Sequence, residues 1–119
     1  MKDDKFLNMS PRERDAFVAE KVFGWRKSVI KDWDWLMEPP ESEPQTSVRE
    51  IPRYTTSFDG AELIVEKLKA DGWYYGTMNT VWDKPVVVFV KDGEVFGAIA
   101  GTLPVAVSIA ALKVVGAIK

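Results

Sequence analysis

The chain has 119 residues, 46% of them hydrophobic and 29% charged, with a net charge of −2 and a pI of about 5.2. That length supports one domain around one core, and a mildly acidic chain has no overall field to draw in duplex nucleic acid. Cysteine and histidine are both absent, which excludes disulfides, thiolate–zinc sites, cysteine nucleophiles and the usual neutral-pH general base.

In chain order, Met1-Lys2-Asp3-Asp4-Lys5 opens no apolar stretch, so no signal peptide is expected and the cytoplasm is the expected compartment. Ser10-Pro11-Arg12-Glu13 has the pattern of a capping box with proline in the first turn. Phe17, Val18, Val22 and Trp25 then share one helical face, and Gly24 supplies a stop, so a helix is expected over Pro11–Phe23. Between Trp25 and Glu50 no period is sustained. Prolines remove backbone donors and acids resist burial across Glu38-Pro39-Pro40-Glu41-Ser42-Glu43-Pro44-Gln45, so a mobile acidic loop is expected at about residues 37–48. Ahead of it, Trp33 and Trp35 are spaced to point the same way in an extended segment, either onto the core or outward as anchors for a partner.

Thr55-Thr56-Ser57 offers caps for a second helix over Phe58–Ala70. Ala61, Ile64, Val65 and Leu68 form its apolar face, Lys67 and Lys69 lie near its negative end, and Gly72 follows. Three strand-like runs come next, at residues 73–81, 85–91 and 94–100. The middle one is almost all valine and phenylalanine, as in a strand buried on both faces. Asp92-Gly93 is a two-residue hairpin signal and Asp83-Lys84-Pro85 makes the earlier turn, so the sheet is expected to be an antiparallel meander. Thr102 caps a last helix whose Val105, Ile109, Leu112 and Val115 form one stripe. Ala106, Ala110 and Ala117 lie on another side with Lys113. A helix apolar nearly all round must be covered nearly all round, and the alanine side is expected to meet another copy of the chain. Residues 105–118 fall short of the roughly 20 apolar residues a membrane span needs. The expected fold is α+β: a three-layer α/β/α sandwich around an antiparallel meander of three or more strands.

Three stretches together resemble the phage ABA sandwich family. They are Val18-Ala19-Glu20-Lys21-Val22-Phe23-Gly24-Trp25; Ile51-Pro52-Arg53-Tyr54-Thr55-Thr56-Ser57 running into Ala61-Glu62-Leu63-Ile64-Val65-Glu66-Lys67-Leu68; and Leu103-Pro104-Val105-Ala106 with Ile109-Ala110-Ala111-Leu112-Lys113. The chain departs from the family at Ser57, often an acid there, and at Ser108, often a cysteine. The resemblance implies a phage or prophage accessory protein with an α/β/α sandwich. Phage proteins of similar architecture include anti-Thoeris proteins, which assemble into oligomers and sequester cyclic nucleotide-like immune signals without cleaving them. By that analogy the expected function is non-covalent capture of a cyclic nucleotide-type signal by a homo-oligomer. A host-protein interaction module, or a structural phage protein, is the alternative.

Such capture needs flat rings for bases and cations for phosphates. Tyr54, Trp82, Trp73 and Tyr75 are candidates for stacking, Arg49, Arg53 and Lys113 for phosphate, and Asn79 for a base edge. Arg49, Arg53 and Tyr54 cluster ahead of a helix start, where backbone donors can also meet an anion. The plain alternative has Tyr54 packed and both arginines in solvent. Lysine offers a point charge where relatives use an arginine fork on the last helix. Pairs such as Asp32 with Asp34, or Asp83 with Asp92, arise freely in an acid-rich chain. No nucleophile–base pattern accompanies them, so neither catalysis nor a cofactor or metal is expected.

Overall fold

The computed structural model describes residues 2–27, 36–43, 47–80 and 82–119. The chain begins with a short helix, α1 (Asp3–Leu7), followed by α2 (Pro11–Phe23). Ser10 accepts from the Glu13 backbone and Glu13 reaches back to the Ser10 amide, so the expected capping box is formed. Gly24 ends α2 with φ of 77°, a conformation that favours glycine. Five residues are too few to show a period, and α1 has no side-chain cap. It is held by Phe6, which is fully buried 6.1 Å from the ring of Phe17. Burial of one such side chain is worth roughly 2–3 kcal/mol.

A small antiparallel sheet follows, of β1 (Arg26–Lys27), β2 (Leu36–Glu38) and β3 (Arg49–Glu50), in that order. Strand β2 takes in the first two residues of the loop expected at about 37–48. Met37 and Glu38 lie in β2 and both are buried. Met37 reaches the core, and Arg26 on the neighbouring strand stands 3.5 Å from the Glu38 carboxylate. A paired acid can be buried where a lone one resists it. Arg26 also donates to the Ser42 carbonyl at 2.6 Å, and Ser42 bonds back to the Pro39 carbonyl, so residues 39–42 form a tied turn. Residues 44–46, and the segment containing Asp32, Trp33, Asp34 and Trp35, lie outside the described residues.

Helix α3 (Phe58–Ala70) is capped by Ser57, which accepts from the Gly60 amide at 2.9 Å. The meander then runs through β4 (Tyr74–Asn79), β5 (Pro85–Lys91) and β6 (Glu94–Ile99), with β5 in the centre. Asp92 and Gly93 both have positive φ, as the expected tight hairpin requires. The last helix, α4 (Leu103–Val114), is capped by Thr102, which accepts from the Val105 amide at 3.4 Å.

The result is a mixed α+β sandwich. One face of the meander presents Val87, Phe89 and Ala98, all buried, to α4 and α3, and α2 packs on α4 in turn. Strand alternation sends Tyr74, Met78, Val95 and Ile99 to the opposite face, where all four are exposed. Helix α4 is covered nearly all round, as its composition demands, but by this chain. Ala106, Ala110 and Ala111 are each fully buried in the single chain. Of the alanine side, Ala106 and Ala110 are spent on intrachain packing, while Ala117, just past the helix, is only partly buried.

Asp15 joins α2 to the segment ahead of α3. It is fully buried, accepts from the Thr55 amide at 2.8 Å and the Thr55 hydroxyl at 2.7 Å, and pairs with Arg12 at 2.8 Å. Arg12 continues to the Ile51 carbonyl at 3.0 Å. This cluster fixes where Thr55 and Thr56 stand.

Candidate functional site

Strand β6 ends beside the start of β5, where the Ala100 amide bonds to the Pro85 carbonyl. The chain then turns through Gly101 into α4. Helix α3 runs back along the sheet, so its first turn comes to the same end. Between these two helix starts lies a cavity of about 490 Å³ lined by Leu7, Arg14, Thr55, Thr56, Phe58, Gly101, Thr102, Pro104 and Val105. That volume suits a small-molecule site.

The lining has a consistent character. Leu7, Phe58, Pro104 and Val105 give it apolar walls, and Phe58 is 72% exposed, so its ring is open to contact. Thr55, Thr56 and Thr102 supply hydroxyls, although that of Thr55 is already committed to Asp15. Arg14 is the one charged residue of the lining. Its Nε is buried and has no hydrogen-bond partner among the described residues, an arrangement that costs free energy unless something accepts from it. The neighbouring Asp15 is matched by Arg12, and among the described residues Arg14 has no carboxylate of its own. The positive ends of two helix dipoles add to its charge. The arrangement can hold an anion beside a flat apolar group.

The sequence-selected residues are distributed otherwise, and none lines this cavity. Tyr54 is 2% exposed and its ring stacks on Phe23 at 4.6 Å, so it belongs to the core. Burial pushes its phenol pKa well up, opposed by a side-chain hydrogen bond from Trp25 and reinforced by the Asp15 carboxylate. Tyr75 and Trp73 also pack at the core, Tyr75 5.4 Å from Phe89 and Trp73 5.8 Å from Phe96. Burial raises the Tyr75 phenol as well.

Arg49, on β3, is exposed, pairs with Glu41 and stands 5.6 Å from the ring of Trp25. Arg53 is exposed, and its carbonyl accepts from the Ser57 amide and hydroxyl, closing the turn into α3. Asn79 and Trp82 stand exposed at the end of the meander nearest the cavity. Asn79 pairs with Pro85, which places it two strand spacings, about 10 Å, from the β6 end. Lys113 lies far along α4, about 15 Å from its start. It donates to the Gly97 carbonyl at 3.0 Å and stands 3.6 Å from Asp3, so its charge is already matched.

Reading the sequence passed over Arg14, Thr56, Phe58 and Thr102 as ligand groups. Thr55-Thr56-Ser57 and Thr102 were legible as helix starts, but not as two starts facing each other. Arg14 carried a signal of its own: it stands in the row Arg14, Val18, Val22, whose two valines are buried, so an arginine occupies an inward row.

The family model for the phage ABA sandwich domain matches residues 16–112. A crystal structure of a phage protein from Bacillus cereus ATCC 14579 superposes with a TM-score of 0.68 at 27% identity, covering 87% of this chain and 90% of that one. None of the curated proteins matches the chain. With most of its length matched, from α2 to the last turns of α4, the chain belongs to the phage ABA sandwich domain family.

Proposed function

We propose that this phage accessory protein works by non-covalent binding, and that its ligand is a small phosphate-bearing molecule with a flat base, of the cyclic nucleotide signal type. The observation that carries the reading is the cavity between the starts of α3 and α4, into whose lining Arg14 brings a buried Nε with no partner among the described residues. In this reading Arg14 and the helix-start amides take the phosphate, Phe58 stacks on the base, and Thr56 and Thr102 meet ribose or base edges. Asn79 and Trp82, at the same end of the sheet, contact whatever part of the ligand extends beyond the cavity. The protein holds the molecule without altering it, in the host cytoplasm, and so removes it from circulation. No metal or other cofactor is needed for this.

Titration calorimetry with cyclic dinucleotides and cyclic ADP-ribose isomers tests it. Arg14→Ala should weaken binding about tenfold to a hundredfold, the worth of one hydrogen-bonded charge. Phe58→Ala should weaken it by a similar factor through lost stacking. The ligand should be recovered chemically unchanged. Binding that survives both substitutions places the ligand elsewhere, and turnover contradicts the reading.

The second reading, a host-protein interaction module, is favoured by a different observation: the exposed apolar outer face of the meander, with Trp82 78% exposed at its end.

A further inference from the structure

The outer face of the meander consists of three rows across the strands. The paired registers place Tyr74, Val90 and Val95 in the first, Gly76, Val88 and Gly97 in the second, and Met78, Val86 and Ile99 in the third. No charged residue occurs among them. Tyr74 is 79% exposed, Met78 67%, Val95 63% and Ile99 59%. Together with Trp82 in the β4–β5 turn, these side chains present on the order of 700 Å² of surface, since an aromatic side chain alone carries about 150–250 Å². An ordinary monomer does not keep so large an apolar face in water. Among the described residues nothing covers it.

We propose that the occupant is a second copy of this chain, packed face to face through the meander. Three observations select it. First, the available area is close to the roughly 800 Å² per partner of a standard stable interface. Second, a face without charge is matched by another without charge, and its own copy provides one. Third, the face has a complementary relief. The middle row is low, because a Cβ at Gly76 would stand 3.3 Å from Val88 and one at Gly97 3.1 Å from the Val87 carbonyl and 3.2 Å from Val88. The third row stands high.

A two-fold axis running across the strands, between these rows, sets Met78 and Ile99 of each copy over Gly76 and Gly97 of the other. The same operation brings Trp82 beside the other copy's Tyr74. Such an isologous pair closes on itself. Growth by strand addition at β6 is opposed, because the Lys113 ammonium already holds the Gly97 carbonyl. None of these rows lines the cavity between the helix starts, and Trp82 is the one residue this face shares with the ligand reading, so the test below rests on Met78 and Ile99.

Sedimentation of the full chain over about 1–100 μM tests it. The wild type should be a dimer with a micromolar or tighter dissociation constant. The double substitution Met78→Lys with Ile99→Lys should raise that constant about a hundredfold or more, with far-UV circular dichroism and the thermal midpoint showing that the chain remains folded. Cysteine is absent from the chain, so a single Met78→Cys gives a second, fold-preserving probe. A short bismaleimide should link it into dimers far faster than Glu62→Cys on the exposed side of α3. A wild type that stays monomeric throughout, a double variant that associates as the wild type does, or equal cross-linking at the two cysteines would each overturn the proposal. A monomer that instead captures a host protein through this face would overturn it in favour of the interaction-module reading.

Discussion

Replacing Asp15 by alanine should destabilise the protein by about 3 kcal/mol. The carboxylate is fully buried and accepts three contacts: the Thr55 amide at 2.8 Å, the Thr55 hydroxyl at 2.7 Å and Arg12 at 2.8 Å. Breaking a buried ion pair from one side costs about 3–5 kcal/mol, chiefly by stranding the remaining partners. Arg12 is only partly stranded here, because it keeps the Ile51 carbonyl at 3.0 Å and its side chain is 19% exposed. That argues for the lower end of the range. In a domain of this size, 3 kcal/mol corresponds to a fall of roughly 12 °C in the thermal midpoint. Urea melts followed by circular dichroism would measure it. Thr55→Val alone should cost about 1 kcal/mol, and the double variant should cost less than the sum by about 1 kcal/mol, since both substitutions remove one bond. A loss below 1 kcal/mol for Asp15→Ala, or strict additivity in the cycle, would refute the view that this cluster fastens α2 to the start of α3.

Tyr54 has a folded-state phenol pKa raised above its ordinary value of 10.0 by burial, so its contribution is complete below pH 10 and is lost as pH climbs above that value. Tyr54→Phe should therefore flatten the decline of stability above pH 10, read from urea midpoints across the alkaline range. Gly60→Ala should cost about 3 kcal/mol or more, because the new Cβ would stand 2.1 Å from the Arg53 carbonyl oxygen and the strain falls on backbone; chemical denaturation measures this. Lys113→Ala should cost about 1 kcal/mol of stability through the lost bond to Gly97 and leave ligand affinity unchanged in calorimetry.

The legible parts of the fold were those governed by local rules. Ser10, Ser57 and Thr102 declared their helices because an oxygen that accepts from a backbone amide must precede the first turn. Asp92-Gly93 declared its hairpin because both residues tolerate positive φ. Leu36–Glu38 was not legible. Its membership of a strand depends on Arg26, distant in sequence, neutralising Glu38, and on Met37 reaching the core. Tyr54 shows the same limit at the site. The motif Arg53-Tyr54 before a helix suggests a ligand platform, yet the ring is claimed by Phe23 across the core. The cavity escaped the sequence because it is a meeting of two helix starts from separate parts of the chain. Only the antiparallel course of α3 and β6 along one sheet brings them together. The alanine side of α4 was legible as a surface needing cover, and α2, α3 and the sheet cover Ala106 and Ala110.

The most direct test of the binding reading is native mass spectrometry of the protein purified from its expression host and then exposed to a panel of cyclic nucleotides. The account predicts a discrete added mass of a phosphate-bearing small molecule, released intact on denaturation and strongly diminished in Arg14→Ala. A chain that stays bare across the panel, or an adduct that Arg14→Ala retains undiminished, would contradict it.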